Sequence, residues 1–275
     1  MNRPSLLFLT DLNNGAEQED ILIADFLRRD FEVLVRHPSD SESLEKSVEA
    51  IIIRNVWNDT TYGKPEPWYA RWRVHPDLPI HDDLYMREGE YKDYLLKLYA
   101  DGFPVIPTID TVRAIDELPE SETYFIKPKD GFDAIDTHVL SREELLAMNP
   151  EHHLIQPFVD FEYEISFYYL DKKLQYVLHA PDKTERWRLE PFKPAEDDIR
   201  FAERFVRWNR QRRGIERIDA CRLKDGSLQL MEITDQGGVY LSIPTLPEEM
   251  RLLFLGNLSD SLQALVAFRT GTQAG

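Results

Sequence analysis

The Asp225-Gly226 dipeptide, with Asp219 on one side and Glu232 on the other, limits what this chain can fold into more than any other feature. Asp-Gly favours a two-residue type I′ turn, and such a turn pairs 219 with 232 and 217 with 234 across a β-hairpin. The two carboxylates then stand on one face with Cβ atoms roughly 5 Å apart, an arrangement that costs free energy unless a cation lies between them. A divalent ion would serve. Oxygen ligands favour Mg²⁺, which takes one or two carboxylates and completes its shell with water and substrate phosphates, so a nucleotide is the first ligand to consider. A neighbouring Arg217, Arg222 or Lys224 would equally neutralise an ordinary surface hairpin. The rest of the chain has to decide between the two.

Leu6 to Leu9 reads as a strand, Asp20 to Arg29 as a helix, Phe31 to Val35 as a strand, Ser43 to Val48 as a helix and Ala50 to Ile53 as a strand. This β-α-β-α-β order predicts a small parallel sheet with covering helices. Ligands of such sheets collect beyond the carboxyl ends of the strands, which makes Asp11, Asn13, Asn14, Arg54 and Trp57 candidate substrate contacts. Asp59 to Met86, rich in Pro, Trp, Tyr and His without periodicity, is expected to be an ordered loop. Glu90 to Asp101 is expected to be a helix stopped by Gly102, and the prolines at 104 and 107 make 103–108 extended. A domain boundary is placed there, giving units 1–108 and 109–275. From Tyr124 onward strands and hairpins dominate: Tyr124 to Lys127, His138 to Leu140, His153 to Pro157, Tyr163 to Leu170 and Leu174 to His179. Helices are expected over Glu143 to Met148, opened by a Ser141-x-x-Glu144 capping box, over Asp197 to Arg213, and over Glu248 to Phe268. The fold class is α/β, a small parallel α/β unit followed by an α+β unit.

The balance of 33 basic against 50 acidic residues gives a net charge of −17, which argues against a nucleic-acid partner or an anionic membrane surface. A nucleotide pocket needs only a few local cations, so it is compatible with that charge. Cys221 is the single cysteine; it cannot form an internal disulfide and is expected to be a buried, inert thiol. No apolar run approaches membrane-spanning length and no signal-peptide pattern follows Met1, so a cytoplasmic protein is expected. Walker A, G-x-G-x-x-G, paired metal-ligand cysteine and G-x-S-x-G patterns are absent.

Two further segments carry chemistry. Lys127-Pro128-Lys129-Asp130-Gly131 ends an apolar strand and enters a turn, where an ammonium and turn amides suit phosphate; a solvated turn is the plainer reading. Leu154 to Val159 reads as a strand leaving one subdomain for another, a hinge near 156–160 whose backbone could read an adenine edge, with Glu162 and Glu164 placed to accept ribose hydroxyls. An ordinary hairpin with exposed acids has the same sequence.

In order and spacing these segments resemble an ATP-grasp enzyme over most of the chain. Lys92-Asp93-Tyr94-Leu95-Leu96, Gly102 and Pro104 to Thr108 resemble the helix and "PT" segment leading into the ATP-grasp domain. Lys127-Pro128 resembles its phosphate-binding strand, Gln156 to Val159 its adenine hinge, and Glu164 its ribose-side acid. Arg217-x-Asp219, Glu232 and Gly237-Gly238 resemble its terminal metal and acceptor motif, and Arg54-x-x-Trp57-Asn58 resembles the branch of small carboxylate-amine ligases that includes glutathione-synthetase-like and D-cycloserine-forming enzymes. The resemblance implies a pre-ATP-grasp domain over 1–108 and a two-subdomain ATP-grasp domain over 109–275. It implies ATP with Mg²⁺, or Mn²⁺ in its place, and an acyl-phosphate route joining a small carboxylate, an amino acid or peptide, to an amine. Phosphates would fall to Lys92 and Lys127, the base and ribose to Gln156, Phe158, Val159 and Glu164, the metal to Asp219, Glu232 and Asp235, catalysis to Arg217, and substrate to Arg54, Asn58, Gly237 and Gly238. Enzymes that the chain resembles are often homodimers or larger homo-oligomers, and the sequence leaves the oligomeric state open. Two departures stand out: Thr234 occupies the usual third ligand position, with Asp235 next to it, and the loop after Lys127 holds one glycine, Gly131. Both features keep open a nucleotide-binding regulatory protein without turnover, and a small-molecule kinase is a third reading.

Overall fold

The computed structural model describes residues 3–11, 17–56, 67–75, 77–82, 92–130, 134–209, 211–235 and 237–271. The first unit contains β1 (Ser5–Thr10), α1 (Glu17–Leu27), β2 (Glu32–Arg36), α2 (Glu42–Glu45) and β3 (Ala50–Arg54). Its sheet has the order β2-β1-β3, with Leu6 paired in parallel to Val33 and to Ala50. Leu6 to Thr10 and all of β3 are buried, as unbroken apolar runs in a doubly covered parallel sheet should be. Within the expected 59–86 loop the structure has a helix, α3 (Pro67–Val74). Its sequence hid the fact because only Trp68 and Trp72 mark the inner face. Trp72 is wholly buried, and its indole N–H donates to Glu45 Oε1 at 3.0 Å.

After α4 (Tyr94–Ala100) the chain turns at Gly102, whose φ of +75° favours glycine, and runs extended. That stretch pairs at Val105 with Leu230 and at Ile109 with Ile155, so the linker stitches together two sheets. The first is β4 (Thr123–Pro128), β5 (His138–Ser141) and, after α5 (Arg142–Met148), β6 (His153–Pro157), in the order β5-β4-β6. The capping box forms: Ser141 accepts from the Glu144 amide, and the Glu144 carboxylate accepts from the Ser141 amide at 2.8 Å. The second sheet is built from β7 (Tyr163–Leu170), β8 (Lys173–Ala180) and β9 (Glu190–Pro191), then, after α6 (Glu196–Asn209), β10 (Ile215–Arg222) and β11 (Leu228–Asp235). Its order is β11-β10-β7-β8-β9, antiparallel throughout. The last element, α7 (Glu248–Thr270), is helical through Gly256.

The hairpin reaches its expected register by an unexpected route. The turn is a three-residue loop, Lys224 to Gly226, closed by Leu223 N to Ser227 O and Gly226 N to Leu223 O, both 2.9 Å, with Gly226 at φ +84°. This loop alone pairs Arg222 with Leu228 and Ala220 with Leu230. A β-bulge between Asp219 and Ala220 then skips Met231 and restores Asp219 opposite Glu232 and Arg217 opposite Thr234.

Strand alternation assigns opposite duties to the two faces of the large sheet. Ile165, Phe167, Ile218, Leu230 and Ile233 pack against Leu95, Leu98, Phe201 and Phe205 of α4 and α6. The other face carries Glu164, Ser166, Arg217, Asp219, Glu232 and Thr234. At its far end Tyr168 and Tyr176 join a core that also holds Leu6, Phe8 and Ile52 of the parallel sheet and Phe254, Leu258 and Leu262 of α7. The apolar core therefore runs continuously from the first unit to the last helix. No helix of the described residues is long and apolar enough to cross a membrane.

Candidate active site

The acid pair lies side by side on the half-buried face of β10 and β11, and each acid meets a cation. Arg217 Nε is 2.8 Å from Asp219 Oδ1, and Lys92 Nζ is 3.1 Å from Glu232 Oε1. Lys92 arrives there because its neighbours are anchored. Its amide donates to Lys129 O at 2.9 Å, Lys129 Nζ bridges Asp93 and Asp110 at 2.7 and 2.9 Å, and Tyr94 Oη accepts from Ile233 N at 2.8 Å. Tyr94 and Lys129 had no signal in the sequence beyond their proximity to Lys92 and Lys127. Their roles are set by contacts across the fold.

Lys127 comes from β4 in the smaller sheet, and its ammonium donates to the carbonyl of Met231 at 3.2 Å. The bulge supplies this acceptor, since the residue it skips is no longer a partner in the ladder. Burial pulls the Lys127 pKa down to about 8, with Glu232 working against the shift and Lys92 adding to it. Burial also opposes the charge on Arg217, but Asp219, and after it Tyr168 and Glu232, more than restores it, so its pKa is raised. Glu164 shares the face. Its carboxyl is pushed up by burial and then by Asp219, with Arg186 and Arg217 opposing.

The hinge residues lie at the end of this face. Gln156 is buried and donates to Thr108 Oγ1 at 2.8 Å, while Phe158 is half exposed and its amide donates to Thr123 O at 2.9 Å. Phe158 and Val159 border a cavity of about 450 Å³ with Pro107, Pro157, Leu223 and Gln229. Gln229 pairs with Cys221 in the strand that carries Asp219, so the cavity and the acids lie along one ribbon. Cys221 is buried, and its thiol is pushed up to about 12 first by burial and then by Glu164, as expected for an inert group.

Two expected site residues are placed elsewhere. Asp235 follows Thr234 on the strand, so alternation turns it off the face that carries Glu232. It pairs with Glu216, which bonds Asn209 of α6, and its own Oδ1 and O accept from Gly238 N at 3.3 and 3.1 Å. It caps a turn on the face away from Glu232. Arg54 is wholly buried rather than open to substrate: its Nη2 donates to Glu19 Oε1 at 2.6 Å and its Nε lies 3.6 Å from Asp20 Oδ1. Glu19 in turn accepts from the amides of Leu241 and Ile243 at 2.9 and 3.0 Å. An arginine ending a buried strand beside helix acids is drawn into the interior, because an unpaired carboxylate there would cost more. Asn13, Asn14, Trp57, Asn58 and Gly131 lie outside the described residues. Asp11 follows β1, and Gly237 and Gly238 follow β11, where Gly237 O accepts from Val56 N at 3.1 Å just beyond β3. The carboxyl end of the parallel sheet and the acid pair thus meet at the 237–240 segment, to which Arg217 also donates, through Nη1 to Tyr240 O at 3.2 Å.

The donor set fits Mg²⁺ held together with a phosphorylated ligand. Among the described residues no three His, Cys, Asp or Glu side chains are grouped to hold a metal by protein alone. Two adjacent carboxylates flanked by cations would leave the remaining positions to phosphate oxygens and water, the usual division for Mg²⁺ at nucleotide sites.

No protein-family model matches the sequence, and no curated protein matches it. Solved structures do. The crystal structure of D-cycloserine synthetase DcsG superposes with a TM-score of 0.72 at 19% identity, covering 94% of this chain and 99% of that one. D-alanine–D-alanine ligase from Bacillus anthracis, complexed with ATP, gives 0.66 at 14% identity over 99% and 100% of the two chains. The ATP-grasp ligase PsnB, complexed with a phosphomimetic variant of its minimal precursor, Mg and ADP, gives 0.64 at 16% identity over 97% and 99%.

Proposed function

We propose that this chain, whose fold is that of the ATP-grasp ligases, is an ATP-dependent carboxylate-amine ligase acting through an acyl phosphate on a small carboxylate, an amino acid or peptide. The observation that carries the reading is the gathering of Lys92, Lys127 and Arg217, from three separate segments, around the opposed pair Asp219 and Glu232, Lys92 and Arg217 by ion pairs and Lys127 through the adjacent Met231 carbonyl. Three cations around two acids on one sheet face form a phosphate site completed by a metal.

In this reading Lys92 and Lys127 hold phosphate oxygens and Arg217 steadies charge on the phosphoryl group as it passes to the acceptor carboxylate. The amine then attacks the acyl carbon and phosphate leaves. Asp219 and Glu232 would hold Mg²⁺, which when bound neutralises the phosphate chain. The base is assigned to the cavity beside Phe158 and Val159, the ribose to Glu164, and the acceptor to the segment at Gly237 and Gly238, with Asn58 a further candidate. Catalysis here is positioning and charge neutralisation, with no covalent enzyme intermediate required.

The test is a measurement of ADP and ligated product across a panel of amino acids and carboxylates. ADP release that depends on both a carboxylate and an amine supports the ligase. Glu232→Gln should abolish it while the protein stays folded, and full ligation by that variant would remove the metal role. Thr234 beside Arg217, with Asp235 turned away, favours one alternative, a nucleotide-binding regulatory protein. Tight Mg-ATP binding without substrate-dependent ADP release would select it.

A further inference from the structure

We propose that Ser166 is a positioning residue for Asp219, the partner that keeps this carboxylate aimed at the metal when Arg217 turns to phosphate. The inference rests on the ligase reading of the site. Ser166 lies on β7 directly opposite Asp219, and its hydroxyl donates to Asp219 Oδ1 at 2.6 Å. Arg217 Nε is 2.8 Å from the same oxygen and 2.9 Å from Oδ2. Both carboxylate oxygens are thus held, by two partners that differ in charge and in freedom.

Arg217 is a long cationic arm with other places to go. Its Nη1 already reaches Tyr240 O, and its guanidinium lies 5.9 Å from the Tyr168 ring centre. A triphosphate beside it offers stronger charge-assisted bonds than the one carboxylate. Ser166 cannot follow such a shift. It sits inside the sheet between Asp219 on β10 and Leu178 on β8, with one side-chain torsion to its hydroxyl. It is also uncharged, so it orients the carboxylate without competing with a cation for it, whereas Arg217 must yield before Mg²⁺ takes full possession. Hydrogen-bond partners of metal-ligating carboxylates set their orientation, and losing one costs metal affinity on the order of 10- to 100-fold.

The experiment uses the full chain with Mn²⁺ as the probe, its binding followed by electron paramagnetic resonance in the presence of ADP. Ser166→Ala should weaken Mn²⁺ binding about tenfold while leaving ADP affinity in EDTA and the thermal midpoint close to wild type. Ser166→Thr, which keeps the hydroxyl on a strand position that tolerates β-branching, should restore the metal affinity. Unchanged Mn²⁺ binding by the alanine variant overturns the proposal. So does a threonine variant as weak as alanine, which would point to packing rather than the hydrogen bond. Wild-type protein that fails to bind Mn²⁺ with ADP overturns the ligase reading itself and this inference with it, an outcome distinct from a loss confined to the variants.

Discussion

Lys127 shows how burial shifts the charge of a single residue, with a consequence for the proposed phosphate site. In the free protein its pKa is pulled down to about 8 by burial, so above that pH it is largely neutral. A phosphate group favours the ammonium, so binding above pH 8 must draw a proton from solvent. Calorimetry of Mg-ADP binding at pH 8.5, in two buffers of different ionisation enthalpy, should therefore show proton uptake that disappears at pH 6.5 and in Lys127→Met. Affinity should fall as pH rises through 8. For folding the sign is opposite to that of a paired lysine. The folded pKa lies below the unfolded one, so the penalty of burying the ammonium is fully present below pH 8 and is relieved as pH rises above it. At this scale the charged groups that the structure gathers, Lys92, Lys127, Arg217, Asp219 and Glu232, were legible in the sequence, because they are types suited to phosphate and metal chemistry. Ser166 was missed although strand alternation places it on the face of Glu164. Arg54 is buried where the sequence suggests an open strand end, because nothing local distinguishes an arginine that reaches solvent from one drawn back toward Glu19.

The last hairpin is the element on which the site depends, and its register comes from two compensating irregularities. A three-residue loop replaces the expected two-residue turn, and the Met231 bulge returns the strands to the pairing that sets Asp219 against Glu232. Gly226 holds the loop at φ +84°, with nothing within 4 Å of an added Cβ, so Gly226→Ala tests conformation alone. It should cost about 1 kcal/mol in urea denaturation, since a side chain in the left-handed region is strained. A loss near zero would show that the loop relaxes to another turn. The bulge could not be read from the residues, because its skipped carbonyl is met by a partner far away in the chain, the ammonium of Lys127. The α3 helix was illegible for a related reason. Its inner face is specified by the Trp72 contact with Glu45, 27 positions earlier in the chain, rather than by a repeating apolar pattern.

At the scale of the molecule, the ends of the chain are interlocked. α7 packs on the parallel sheet, and the wholly buried Glu19 carboxylate joins Arg54 to the amides of Leu241 and Ile243. Arg54→Met should therefore destabilise the whole protein by about 3–5 kcal/mol, because it strands a buried carboxylate. A loss below about 1 kcal/mol in urea denaturation would mean that Glu19 takes up a proton or that water enters. The same clamp sets the 237–243 segment against the acid pair, so the variant should also loosen amide protection there in hydrogen exchange. The sequence by itself determined the order of most strands and helices, α3 and β9 excepted, the sign of the global charge, and the residue types gathered at the site, since periodicity, turn chemistry and charge are local properties. Only the tertiary structure decided which candidates meet. It turned Asp235 to the opposite face of the sheet, buried Arg54, bulged Met231 toward Lys127 and stood Ser166 behind Asp219, because each placement depends on partners brought together by the fold and on the burial that they share.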